Sequence, residues 1–125
     1  MRLLYVDDDR INTLLFEETC RVAGGIDLAS ATSGSEALEL AASFQPQLLV
    51  LDLHLPDTTG YELLPALRRV LSGLAPAILC SADEPDSVRQ QALAAGFQDC
   101  WTKPVELATM LVELARLGRQ SGHPA

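Results

Sequence analysis

RLLYVDDDRIN (residues 2–12) joins two features that a folding chain normally keeps apart. Leu3-Leu4-Tyr5-Val6 is an unbroken apolar run, as expected of a strand covered on both faces, and it ends directly in Asp7, Asp8 and Asp9. Two carboxylates ~4 Å apart near a surface repel by about 4 kcal/mol at an effective dielectric of about 20. Three of them at the mouth of a core strand need something to offset that repulsion.

Outward from this stretch, strand and helix signals alternate to the end of the chain. After a strand at 2–6, strands are expected at 26–31, 47–52, 76–81 and 98–102, of which QLLVLD and PAILCS are again continuous apolar runs. Ile11, Leu14, Leu15 and Val22 mark the apolar face of a first helix. Ser33-Gly34-Ser35-Glu36 is a capping box that opens a second, continued by Ala37, Leu40, Ala41 and Phe44. A third runs from about Gly60 to Leu71 with Leu63, Leu64 and Leu67 inward. Pro85 starts a fourth, which Gly96 caps. Pro104 opens a fifth, bearing Leu107, Met110, Leu111, Leu114 and Leu117 and stopping at Gly118. Residues 119–125 are expected to be a flexible tail, leaving 1–118 as one domain.

Composition narrows the function classes. Of 125 residues, 48% are hydrophobic and 21% charged, which is ordinary for a soluble domain. The net charge of −8 and the lack of any Lys/Arg cluster exclude an electrostatic footprint for nucleic acid or an anionic membrane. Cys20, Cys80 and Cys100 have no metal-ligand spacing and read as buried free thiols. No signal-peptide pattern and no membrane-length apolar stretch is present, so a reducing, cytoplasmic setting is expected.

Five βα units of this length predict a three-layer α/β sandwich, a five-stranded parallel sheet in order 2-1-3-4-5 with five helices. Ligands of such sheets bind beyond the carboxyl ends of the strands, where the order reverses between the first and third. Those ends carry Asp7-Asp8-Asp9, Asp52, Ser81 and Lys103. Hard, few and hydrated oxygen ligands suit Mg2+. Lys103 is the chain's one lysine, and a compact ammonium there is a point-charge partner for phosphate oxygens. An aspartate nucleophile, a metal, a lysine and the Ser81 hydroxyl are the equipment for phosphoryl transfer to a carboxylate. Taken singly, Asp52 could be a helix cap, Ser81 a loop hydroxyl and Lys103 a solvated charge; their joint placement at strand ends favours the site.

Four segments in order, LLYVDDDRIN, LLVLDLHLPDTTGYELL, AILCSAD and AAGFQDCWTKP, resemble the receiver domain of two-component response regulators over residues 1 to about 117. The likeness is greatest to receivers attached to hybrid sensor kinases. The resemblance implies a flavodoxin-like receiver fold in which Asp52 is the phosphoacceptor. It implies that Asp8, Asp52 and the main-chain carbonyl of His54 bind Mg2+, with Asp7 assisting, often through water. Ser81 and Lys103 would grip the phosphoryl oxygens, and Asp9 would cap the first helix. Pro56 and Gly60 would shape the loop after the acceptor, Gly60 by a conformation other residues resist. The implied partner is a sensor histidine kinase or histidine phosphotransfer protein, with a downstream effector or output domain. The implied role is a signalling switch with self-catalysed phosphotransfer and autodephosphorylation, not a metabolic enzyme.

Two positions depart from the receiver pattern. Cys100 stands where a Tyr or Phe commonly reports phosphorylation, and Trp101 follows it on the opposite strand face, where core filling is its expected role. The loop 82–87 is therefore expected to carry the switch, with little change at Cys100. His54, two residues past the acceptor, is expected to be an exposed loop residue, able to modulate water access to the phosphoryl group. Two rival readings are a pseudo-receiver that is never phosphorylated and an Asp-nucleophile phosphohydrolase. The first is disfavoured by the complete set Asp7, Asp8, Asp52, Ser81 and Lys103. The second needs a general-acid aspartate where His54 stands.

Overall fold

Alternate residues of each inner strand enter two different cores. The structure, a computed structural model, describes residues 1–82, 85–102, 112, 115 and 116. Strands β1 (Arg2–Val6), β2 (Asp27–Ala31), β3 (Leu48–Asp52), β4 (Ala77–Ser81) and β5 (Asp99–Thr102) alternate with helices α1 (Arg10–Ala23), α2 (Gly34–Phe44), α3 (Gly60–Val70) and α4 (Pro85–Ala94). Every pairing is parallel and the order is β2-β1-β3-β4-β5, as the sequence predicts. The predicted fifth helix and the tail 119–125 lie outside the described residues, save that Val112, Ala115 and Arg116 are helical. No helix among the described residues is long and apolar enough to cross a membrane.

Because strand side chains alternate in direction, Leu4, Val6, Leu49, Leu51, Ala77 and Leu79 pack with Leu63, Leu64 and Leu67 of α3, Ala37 and Ala41 of α2 and Ala92 of α4. Leu3, Tyr5, Leu48, Val50, Ile78, Cys80 and Trp101 face the other way, onto Phe16 and Cys20 of α1. β3 and β4 are buried along their whole length, as their continuous apolar runs require. Gly96 takes φ +104° and the Phe97 amide donates to the Ala92 carbonyl at 3.0 Å, so the predicted cap closes α4.

Two local expectations need correcting. Ile11, Leu14, Leu15 and Val22 share a face of α1, but it is the solvent face, 51–68% exposed; the buried residues are Phe16, Thr19 and Cys20. Both sets have helical spacing, and the Phe16 ring, stacked on Tyr5 at 4.1 Å, decides which turns inward. In the capping box, Ser33 Oγ accepts from the Glu36 amide at 3.1 Å, whereas Glu36 reaches the Thr32 amide at 2.6 Å, one residue before the cap.

Candidate functional site

β1 and β3 lie side by side with Val6 opposite Leu51, so both chains leave the sheet at the same end. Asp7 follows β1 directly and Asp52 closes β3. One carboxylate oxygen each from Asp7, Asp8 and Asp52 lies within 4.8 Å of the others. Asp7 is fully buried, Asp52 nearly so, and Asp8 is exposed. The group therefore has two shielded acids and one open to solvent, at the switch point of the sheet.

Asp7 is held on three sides. Its Oδ2 accepts from the Tyr5 hydroxyl at 2.8 Å and from Asn12 Nδ2 at 3.2 Å, and its Oδ1 accepts from the Asp9 amide at 2.9 Å. Burial, and then the neighbouring Cys80, Asp7 and Asp52, push the Tyr5 phenol far up, so it stays a protonated donor. Asp9 caps α1 as expected, accepting from the Ile11 and Asn12 amides at 2.8 and 3.1 Å. Sequence reasoning missed Tyr5 and Asn12. The signal was available for Tyr5, which stands two residues before Asp7 on one strand face.

Ser81 closes β4, buried, and the Leu53 amide donates to the Cys80 carbonyl at 2.9 Å, keeping β4 beside the chain just past Asp52. Ser81 pairs with Thr102, the last residue of β5. Lys103 and loop residues 83 and 84 lie outside the described residues. Trp101 is buried against Tyr5, Phe16 and Cys80, the predicted filler, while half-buried Cys100 packs on the opposite core. Burial first, then Asp99, pushes the Cys100 thiol up.

The loop after Asp52 is tightly folded. His54 is exposed and bridges Thr59 in antiparallel fashion; the Leu55 amide donates to Thr58 O at 3.1 Å and the Gly60 amide to Leu53 O at 2.9 Å. The positive-φ glycines among the described residues are Gly24, Gly25 and Gly96, so the expected conformational role of Gly60 is not found. Space is what requires it: a Cβ there would lie 2.6 Å from Leu79 Cδ1 and 2.9 Å from the Asp52 main-chain oxygen. Asp57, which the sequence reading overlooked, accepts from the Gly34 and Ser35 amides at 2.8 and 3.0 Å, pinning the loop to the start of α2. Those amides hold its carboxyl below the usual carboxylate range.

Three oxygen donors converging with two of them shielded fit a hard divalent cation. A family model described as the response regulator receiver domain matches residues 3–115. The chain belongs to the response regulator receiver family. It is 36% identical to the transcriptional regulatory protein KdpE of Mycobacterium tuberculosis over 97% of its length, and spans about half of that relative, 53%. Among solved structures it is similar to the receiver domain of the Francisella response regulator 1452, with a TM-score of 0.82, 27% identity, and coverage of 97% of this chain and 98% of that one. It shares its fold with the receiver domain of Ssk1, co-crystallised with the Saccharomyces cerevisiae histidine phosphotransfer signaling protein Ypd1, at a TM-score of 0.86 and 23% identity, covering 98% and 92% of the two chains. These comparisons show the receiver family and not the hybrid-kinase subgroup that the motifs resemble.

Proposed function

We propose that Asp52 of this receiver accepts a phosphoryl group from a phosphohistidine, in a site that also binds Mg2+. The observation that carries this reading is the convergence of Asp7, Asp8 and Asp52 at the switch point of the sheet. An Asp52 carboxylate oxygen attacks phosphorus, the phosphorus–nitrogen bond of the donor breaks, and its electron pair returns to the imidazole, leaving an aspartyl phosphate. Asp8, Asp52 and the His54 carbonyl would hold the cation, with Asp7 behind them. Bound Mg2+ would supply charge neutralisation for the transferring group. Ser81 and Lys103 are proposed to hold the phosphoryl oxygens, and water would later hydrolyse the acyl phosphate. The receiver unit is taken as residues 1–118, working in the cytoplasm.

The exposed face of α1 supports a protein donor. Ile11 lies in the first turn after the acidic segment, and four exposed apolar side chains on one helix face are more than a surface usually scatters. A helix of a histidine kinase or phosphotransfer protein is proposed to dock there.

Acetyl phosphate with Mg2+ and intact-mass detection tests the chemistry. Wild type should gain one phosphoryl group and Asp52→Asn none, because a carboxamide is a poor nucleophile. An undiminished adduct in the variant would remove Asp52 from the role.

A further inference from the structure

The chemistry proposed above leaves the buried Tyr5 hydroxyl without a part. Leu3, Leu4 and Val6 complete the same strand with plain hydrocarbon, whereas Tyr5 brings a polar atom into a 4%-exposed position. A buried hydroxyl is costly unless partnered, and this one donates to Asp7 Oδ2 at 2.8 Å. Its direction is fixed. The ring stacks on Phe16 with 5° between the planes, and Tyr5 and Asp7 project from the same face of the β1 segment. Asn12 reaches the same oxygen from α1, but at 3.2 Å and from a half-exposed position that water can replace.

We propose that Tyr5 is a positioning residue of the acidic site: its hydroxyl holds Asp7 and stands in for the cation when none is bound, so that it weakens Mg2+ binding. This rests on the Mg2+ site proposed above. Asp7 is fully buried beside two other acids with ligand atoms within 4.8 Å. Without a cation, the phenol's donated proton offsets that charge, and it is the shorter of the Tyr5 and Asn12 contacts to Asp7 Oδ2, 2.8 against 3.2 Å. With a cation present, the same donation matters less, since the carboxylate is already neutralised. Whatever stabilises the metal-free state over the metal-bound state lowers metal affinity by the same factor. A receiver built this way keeps its fold in the absence of metal and releases the ion readily.

Tyr5→Phe removes the oxygen and keeps the ring and its stack. Calorimetry with MgCl2 should give about ten-fold tighter binding than wild type, and thermal unfolding in EDTA should fall by roughly 5–10 °C, most of it restored at saturating Mg2+. In an Asp7→Asn background, adding Tyr5→Phe should change Mg2+ affinity less than about two-fold, since the coupled charge is gone. Equal or weaker Mg2+ binding by Tyr5→Phe, or an equal loss of stability with and without the ion, would overturn the proposal and make Tyr5 a structural residue only. Wild type that binds no Mg2+ would instead defeat the metal site itself, and the proposal with it.

Discussion

Gly60 offers a quantitative test of how Asp52, the proposed acceptor, is placed. It begins α3 and abuts the backbone of Asp52: an added methyl would sit 2.9 Å from the Asp52 carbonyl oxygen and 2.6 Å from Leu79 Cδ1. The leucine end can rotate only within a filled core, since Leu79 is wholly buried. The carbonyl cannot move without shifting β3, which is paired on both sides. Overpacking of this kind costs about 3 kcal/mol at the upper end of its range, offset by up to ~1 kcal/mol for replacing glycine with alanine in a helix. The net loss for Gly60→Ala is about 2 kcal/mol, or roughly 8 °C in Tm for a chain of this size. Gly34→Ala should cost about half as much, because the obstacle at 2.6 Å is the end of the Thr58 side chain, which can turn. Gly73→Ala meets nothing within 4 Å and should stay within ~0.5 kcal/mol of wild type. Differential scanning calorimetry of the three variants measures the ranking. Labelling by acetyl phosphate should be at least a few-fold slower in Gly60→Ala, since Asp52, the proposed reacting group, would be displaced. A Gly60→Ala protein within about 2 °C of wild type and labelled at the same rate would refute the steric argument.

Three further outcomes follow from the geometry. Asp8→Ala should lose most Mg2+ affinity by calorimetry while unfolding no earlier than wild type in EDTA, because an exposed member of the acidic group is removed along with its repulsion. Asp57 has a depressed folded-state pKa, so its contribution to stability is present above its unfolded value and is lost as pH falls through the folded one. Accordingly, the Tm gap between wild type and Asp57→Ala should be open at pH 7 and close as the solution is taken down through and below the carboxylate range. Ile11→Asp with Leu15→Asp should slow transfer from a phosphorylated histidine donor by an order of magnitude or more and leave labelling by acetyl phosphate unchanged, because both side chains already face solvent. Equal slowing with both donors would remove the α1 face from the docking role.

The sequence by itself determined the strands, their order and the residues at their carboxyl ends. The order follows from the right-handed crossovers of five βα units, and the strands and their ends from local signals: LLYV, LLVL and AILC are continuous because both faces of an inner parallel strand are covered, and a strand's end is where its apolar run stops. Asp9 as a cap, Gly96 as a helix stop and Trp101 as filler are local in the same sense. Tertiary structure decided the rest. α1 carries two stripes of helical spacing, and only the shape of the sheet face it meets selects Phe16 and Cys20 over Ile11 and Leu15. Asp57 and Gly34 stand far apart in sequence, and no periodicity announces that the loop after Asp52 will lie on the start of α2. Gly60 is required by the nearness of a carbonyl in another element, which a turn-residue rule cannot express. Tyr5 is apolar in the pattern that makes the strand and polar in the contact that holds Asp7. A hydrophobicity pattern records one side of such a residue, and the partner of its hydroxyl exists only once the fold has closed around it.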